Sequence, residues 1–268
     1  MLNRVRSLVL AVLLLVPAAY GQGAYAQGAA APGGTLLDEI IARGVLRVGS
    51  TGDYKPFTFL NPATKEFEGI DIDMAASLAK ALGVKLEMVK TAWPNLMADF
   101  TSGKFDVAMG GISVSLERQK KGLFTIPYMV DGKTPIARCA DKDKYATIAG
   151  IDLAATRVIV NPGGTNEKFA RDNFKQAPIA VYNDNVTIFD QIAGDKADVM
   201  VTDASETLLQ QKLHQGVLCS LHPDKPFNFS EKAYWLARDY AFKAFADQWL
   251  HIAIESKEYQ AITDKWLK

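Results

Sequence analysis

Cysteine and histidine are scarce in this 268-residue sequence, and neither sign of charge is in excess, 30 basic residues standing against 30 acidic ones. Each scarcity excludes something. His214, His222 and His251 are scattered and the thiols are confined to Cys139 and Cys219, so no metal site of His and Cys ligands is expected, and each histidine reads as a surface or capping residue. Balanced charge without a polybasic run leaves no electrostatic footprint for nucleic acid or an anionic membrane surface. Chemistry on a small molecule is what remains.

A long apolar run is also missing. The stretch 8–16 falls well short of the roughly 20 residues that span a bilayer. Arg4 and Arg6 precede it and Ala24-Tyr25-Ala26 follows, the pattern of a cleavable secretory signal over residues 1–26, with the mature chain beginning near Gln27. No cysteine follows the cleavage site, so no lipid anchor and no stable membrane attachment are expected, and the location implied is the periplasm. In such an oxidising compartment Cys139 and Cys219 read as a structural disulfide.

Residues 27–35, rich in Gly, Ala and Pro, form a flexible leader with too little apolar bulk to pack. Beyond it helix and strand alternate. A helix over 36–43 ends at Gly44, and a strand over 45–48 leads to the loop Thr51-Gly52-Asp53-Tyr54-Lys55-Pro56-Phe57. Met74, Leu78 and Leu82 give a helix over 71–82 one apolar face, and Gly83 closes it before a strand over 85–89. Another helix over 96–102 and strand over 105–109 complete a βαβ pattern, and strands over 157–160, 179–182 and 199–202 begin a second set. Phe242, Phe245, Trp249 and Ile252 recur at helical spacing and seal a core face. The expected architecture is α/β in two lobes, each a mixed, mostly parallel sheet flanked by helices, with a cleft between. Lobe 1 takes 36–135 plus 230–268 and lobe 2 takes 136–229, joined by crossings near 132–137 and 229–235 that act as a hinge.

Three blocks in order, Gly44-Val45-Leu46-Arg47-Val48-Gly49, Gly69-Ile70-Asp71-Ile72-Asp73-Met74, and Ser115-Leu116-Glu117-Arg118 followed by Phe124-Thr125-Ile126-Pro127-Tyr128, resemble the type II periplasmic solute-binding proteins for amino acids. Within that superfamily the cyclohexadienyl dehydratases are the closer match. The loop 51–57, Trp93-Pro94-Asn95-Leu96-Met97, Asn161-Pro162-Gly163-Gly164-Thr165-Asn166-Glu167-Lys168-Phe169 and Thr202-Asp203-Ala204-Ser205-Glu206 carry it. The resemblance implies a two-lobed type II fold and conversion of prephenate to phenylpyruvate and of L-arogenate to L-phenylalanine, with no cofactor. The alternative is an amino-acid receptor feeding an ABC permease, which shares fold and carboxylate grip.

The same resemblance assigns roles, each with a plainer alternative. Arg118 grips the ligand carboxylate with its planar fork, or belongs to a solvated basic run with Lys120 and Lys121. Ser113 bonds that carboxylate, or ends a strand. Gly163-Gly164-Thr165 offers backbone N–H groups and a hydroxyl to an anion, or is a glycine turn capped by Thr165. Asp203 and Glu206 sit where a strand meets a helix, as ligand group and catalytic acid, or as a capping box. Asn166 holds the substrate hydroxyl or orients the acid. Glu167 is the second candidate acid, or complements the helix dipole. Trp93 walls the substrate ring, or is core, and Lys55 joins the substrate-binding set. Losing hydroxide from the ring as its carboxylate leaves as carbon dioxide aromatises the product, so the missing piece is a proton. A buried carboxylic acid kept protonated near neutral pH would supply it.

Overall fold

The computed structural model describes residues 34–267, so the signal reading for residues 1–26 and nearly all of the leader lie outside the described residues. Thr35 opens the first helix, Leu36–Arg43, through a reciprocal capping box with Asp38, and Gly44 at φ 71° closes it. Two five-stranded sheets follow from the alternation. The first orders Lys85–Lys90, Val45–Ser50, Val107–Ala108, Trp235–Leu236 and Leu123–Phe124. Its first three strands run parallel, and Trp235–Leu236, arriving late in the chain, runs antiparallel to both neighbours. Helix Ile70–Leu82 lays Met74, Ala75 and Leu78 on this sheet, where they share a core with Phe242, Trp249 and Leu250 of helix Tyr240–Glu255.

The second sheet orders Ile179–Val181, Val158–Val160, Val199–Asp203, Lys133–Arg138 and Leu218–Ser220. Again three strands are parallel, while Lys133–Arg138 runs antiparallel to the strands on either side. Its core, including Val158, Val160, Phe174, Val199 and Val201, is separate from the first. The architecture is therefore two-lobed α/β with mixed sheets. Each crossing of the chain delivers the strand that runs backwards. Met129–Asp131 and Ser230–Lys232 pair as a two-stranded ribbon between the lobes.

One expectation changes here. The stretch 132–137, read as a crossing, is mostly the strand Lys133–Arg138 in the interior of the second sheet. Pro135 hid it, because a proline lacks the N–H that a central strand uses and argues for an edge or loop. Cys139 lies just past this strand and is bonded to Cys219 of the neighbouring strand Leu218–Ser220. The disulfide fastens the second sheet to itself, not the lobes to each other. Among the described residues no helix is long and apolar enough to cross a membrane.

Candidate active site

The site is built on the junction where strand Val199–Asp203 meets helix Ala204–Leu213. Asp203 holds the N-cap position, but its side chain makes no cap bond. Gly132 O accepts from the Ala204 N–H at 2.8 Å and Asp131 Oδ1 accepts from the Ser205 N–H at 3.3 Å, so the crossing segment does the capping. The capping box that Asp203 and Glu206 suggest in sequence does not form, and both carboxyl groups are left for other partners.

Asp203 is buried and each of its oxygens meets a lysine. Lys133 Nζ donates to Oδ1 at 2.6 Å, while Oδ2 accepts from Lys232 Nζ and from the Tyr54 hydroxyl, the latter at 2.6 Å. Lys232 also donates to the Tyr54 oxygen at 3.0 Å, Gly111 O at 3.2 Å and Ser113 Oγ at 3.3 Å, and lies 3.8 Å from Asp131. Burial alone would push the Asp203 carboxyl up, but the charges of Lys133 and Lys232 overcome it and hold the group far below the usual carboxylate range. Burial also draws Lys133 below the ordinary lysine value, against the pull of Asp203.

Glu206, one turn into the same helix, is in the opposite state. It is 2 % exposed and its Oε2 accepts one bond, from the Thr202 hydroxyl at 2.5 Å. Burial pushes its carboxyl up to about 8; the Thr202 bond pulls down and the charge of Asp203 adds to the rise. Two carboxyl groups three positions apart are thus an anion and a neutral acid at pH 7. Such a split is how a site assigns charge and proton to different residues.

Asn166 and Thr165 begin helix Gly164–Asn173 and reach the same centre. Lys133 donates to Thr165 Oγ1 at 2.9 Å and to Asn166 Oδ1, and the Asn166 amide donates to Thr202 Oγ1 at 2.9 Å and Asn161 Oδ1 at 3.2 Å. Glu167 is placed elsewhere. Its Oε2 accepts the Gly163 N–H at 2.6 Å and its Oε1 pairs with Arg171 at 2.6 Å, bonds that hold its carboxyl below the usual value. The helix-start role of Glu167 is the one the geometry shows.

Across the cleft, Arg118 is buried, donates from Nη1 to Ser113 O at 2.7 Å, and burial draws it down to about 10, so it stays cationic at neutral pH. Trp93 Nε1 donates to Asp53 Oδ1 at 3.0 Å, and its ring meets that of Tyr54 edge-on with centroids 5.8 Å apart. Lys55 is not brought to the site. The strand Asp53–Tyr54 turns Tyr54 inward, and the exposed Lys55 lies over the Phe59 ring, 4.0 Å from its centroid, beside Leu209, Leu213 and Trp266. The strand ends at Tyr54, and the turn that follows carries Lys55 to the outside, so of this tract it is Tyr54 that meets Asp203.

The lobes are closed on each other. Besides the Tyr54 and Lys232 bonds to Asp203, the Asn185 amide donates to Asp53 O at 3.0 Å, and a Cβ on Gly163, at φ 69°, would stand 2.9 Å from Pro94. An inner cavity of about 20 Å³ remains between Tyr54, Trp93, Ser113, Thr165, Asn166 and Asp203. That is room for little more than one water-sized group. A vestibule of about 430 Å³ between Trp93, Met97, Leu116, Arg118, Thr165 and Lys168 opens outside it. In this closed arrangement there is no room for a ring-sized ligand against Asp203.

Sequence reasoning missed Lys133, Lys232, Tyr54 and Thr202 as site residues. Lysine is almost never fully buried unless paired, so each lysine in a crossing reads as solvated. The available signal was position: Lys133 and Lys232 each abut an uncharged run, Thr134 to Ala137 and Ala233 to Leu236, that leaves no exposed face for a cation.

Residues 46–268 match the family model of the bacterial extracellular solute-binding proteins, family 3. The chain belongs to that family. Among its relatives, this family 3 protein is 54 % identical over 234 residues to the cyclohexadienyl dehydratase of Pseudomonas aeruginosa, covering 87 % of this chain and 86 % of that one. A crystal structure of an ancestral cyclohexadienyl dehydratase is 49 % identical over 88 % of this chain and 97 % of its own, with a TM-score of 0.55. The ancestral amino acid-binding protein AncCDT-1, described as a precursor of cyclohexadienyl dehydratase, is 32 % identical with a TM-score of 0.79, over 87 % of this chain and all of its own (100 %). Identity and superposition rank these two solved structures in opposite order.

Proposed function

We propose that this chain is a cyclohexadienyl dehydratase, a carbon–oxygen lyase that converts prephenate to phenylpyruvate and L-arogenate to L-phenylalanine in the periplasm. The observation that carries the reading is the neutral, buried Glu206 beside the ionised Asp203. An acid whose carboxyl rises to about 8 is still protonated at neutral pH and so suited to donate a proton to a leaving group. The 54 % identity to a dehydratase supports it.

In the proposed step Glu206 gives its proton to the hydroxyl on C4, the C4–O bond breaks and water leaves. The bond from C1 to the ring carboxylate breaks with it, carbon dioxide departs, and that electron pair completes the aromatic ring. One proton is consumed and no oxidant or reductant enters the balance. Arg118 grips the side-chain carboxylate with Ser113 and Thr165 beside it, and Trp93 and Tyr54 wall the ring. Asn166 reaches the acid through the Thr202 hydroxyl. Closure of the lobes keeps water from the departing groups and strengthens the field around Glu206.

The receptor reading has support in the likeness to AncCDT-1. Against it, an amino acid's ammonium would have to displace Lys133, Lys232 or Tyr54 from Asp203. The test is to follow phenylpyruvate formation from prephenate at neutral pH above the spontaneous rate. Wild type should turn over, and Glu206→Gln should lose about 10²- to 10⁴-fold in kcat while still binding prephenate. Full turnover in the variant would move the acid elsewhere; no turnover in wild type, with an amino acid bound unchanged, would make the chain a receptor.

A further inference from the structure

Thr202 lies under the site, touches no opening of the cleft and has no role in the step above. It is 0 % exposed, and its hydroxyl has two partners in the structure, the Asn166 amide and Glu206 Oε2. The direction of each bond follows from what the groups are able to do. A lysine ammonium only donates, so the face of Asn166 that meets Lys133 is its oxygen and the face that meets Thr202 is its NH₂. The Thr202 oxygen therefore accepts from Asn166. Its own proton then has one acceptor within reach, Glu206 Oε2, because a buried hydroxyl that failed to donate would forfeit a bond at real cost.

We infer that Thr202 is a positioning residue, the last link of a one-way relay Lys133 to Asn166 to Thr202 to Glu206 that leaves the transferable proton of Glu206 on Oε1. With Oε2 committed as an acceptor, the acidic proton occupies the other oxygen, the one outside the relay. The inference rests on the reading of Glu206 as the acid. Asp203, Lys133 and Lys232 are the charged groups that act on Glu206, and the relay leaves all three in place when Thr202 alone is changed. Glu206 loses the proton of its Oε1–H to the departing hydroxyl; the resulting carboxylate keeps the Thr202 bond on Oε2 and is reprotonated from solvent once the lobes open.

The test needs a readout of Glu206 that does not depend on turnover. The infrared band of its protonated carboxyl, isolated by subtracting the spectrum of Glu206→Gln, is titrated against pH in the free protein. A hydroxyl that donates to Glu206 favours the carboxylate, so Thr202→Val should move the titration midpoint up by about one pH unit. Thr202→Ser should return it. With prephenate, Thr202→Val should lower kcat about tenfold with little change in KM, Thr202→Ser restoring it. A midpoint that stays or moves down in Thr202→Val would mean that Thr202 accepts from Glu206, and would overturn the relay. If Thr202→Val does not fold, Thr202→Ala removes the same hydroxyl and is read the same way. Should wild type fail to turn over prephenate, the dehydratase reading falls, while the sign of the midpoint shift still decides the relay.

Discussion

Among the described residues, two helix starts bury carboxyl groups almost completely, and they solve the problem differently. At the head of Ile70–Leu82, Asp71 Oδ2 accepts from the N–H groups of Gly111 and Gly110 at 2.6 and 3.0 Å and from the Tyr128 hydroxyl at 2.9 Å, while Oδ1 accepts from Tyr234 at 3.1 Å. These donors are neutral, and burial still pushes Asp71 up to about 6. At the head of Ala204–Leu213, Asp203 has two ammonium groups and is held far below the usual range, and Glu206, with one hydroxyl, rises to about 8. Burial is common to all three. The number and charge of the donors decide the ionisation, so the first lobe uses neutral donors to hold its Gly110-Gly111 turn, and the second uses cations to separate an anion from an acid.

The largest effect should come from taking a cation away. Lys232→Met strips Asp203 Oδ2 of its ammonium in a site that is 0 % exposed at Lys232 and 3 % at Asp203. Removing one partner of a buried ion pair typically costs about 3–5 kcal/mol, measured as a loss of unfolding free energy in urea. Adding Asp203→Asn should recover part of it, because the uncompensated charge is then gone. A Lys232→Met variant as stable as wild type would mean that Asp203 is held down by Lys133 alone.

That dependence on lysines also explains where sequence reading stopped. The helix over 36–43 is the observed Leu36–Arg43, the helix over 71–82 differs from Ile70–Leu82 by one residue, and the strand over 85–89 grows by one to Lys85–Lys90. Local patterning, apolar spacing and closing glycines are enough for these. Lys133–Arg138 was lost because Pro135 and a leading lysine contradict a central strand, and the tertiary partners that override that preference are remote in the chain. In the site, resemblance singled out Asp203, Asn166, Thr165, Ser113, Arg118 and Trp93, which line the inner cavity or the vestibule, Glu206, which is buried behind them against Thr202, and Lys55, which the fold turns away. Beyond the uncharged runs beside the two lysines, nothing local marks these buried lysines or the buried threonine. Lys232 takes its meaning from Asp203 and Tyr54, 29 and 178 positions away, and Thr202 from joining Glu206 to Asn166, 36 positions away.

A smaller effect separates Glu206 from Asp203 through pH. An acid whose folded value is raised binds protons that the unfolded chain has released, so stability falls as pH rises from the unfolded to the folded value. For Glu206 that window runs from 4.5 to about 8. Glu206→Gln should abolish its part of the decline, which reaches at most about 1.4 kcal/mol per pH unit, and the gap between variant and wild type should widen up to pH 8 and then level. Asp203 works in reverse: its contribution is complete above the ordinary value of 3.8 and is lost as pH falls below it. Turnover should follow the protonated form of Glu206, present below about pH 8 and falling above it. A wild-type pH–stability curve between 6 and 8 that runs parallel to that of Glu206→Gln would show that folded Glu206 has already ionised by pH 6 and is no neutral acid at pH 7.

The smallest effect tests the neutral-donor site. Asp71→Asn keeps one oxygen for Gly110, Gly111 and Tyr128 and turns its NH₂ to the Tyr234 hydroxyl, which is able to accept, so the cost should be about 1 kcal/mol. The variant should also lose the part of the pH decline that lies between 3.8 and about 6. Above pH 6 it should track wild type in slope, because there Asp71 has already released its proton while Glu206 still holds its own. Paired with Glu206→Gln, which flattens the curve from 4.5 to about 8, this divides one stability profile between two helix starts, both contributing below pH 6 and Glu206 continuing above it. If Asp71→Asn instead flattened the curve from 6 to 8, neutral donors would have left Asp71 as strongly protonated as Glu206, and donor number would count for less than burial.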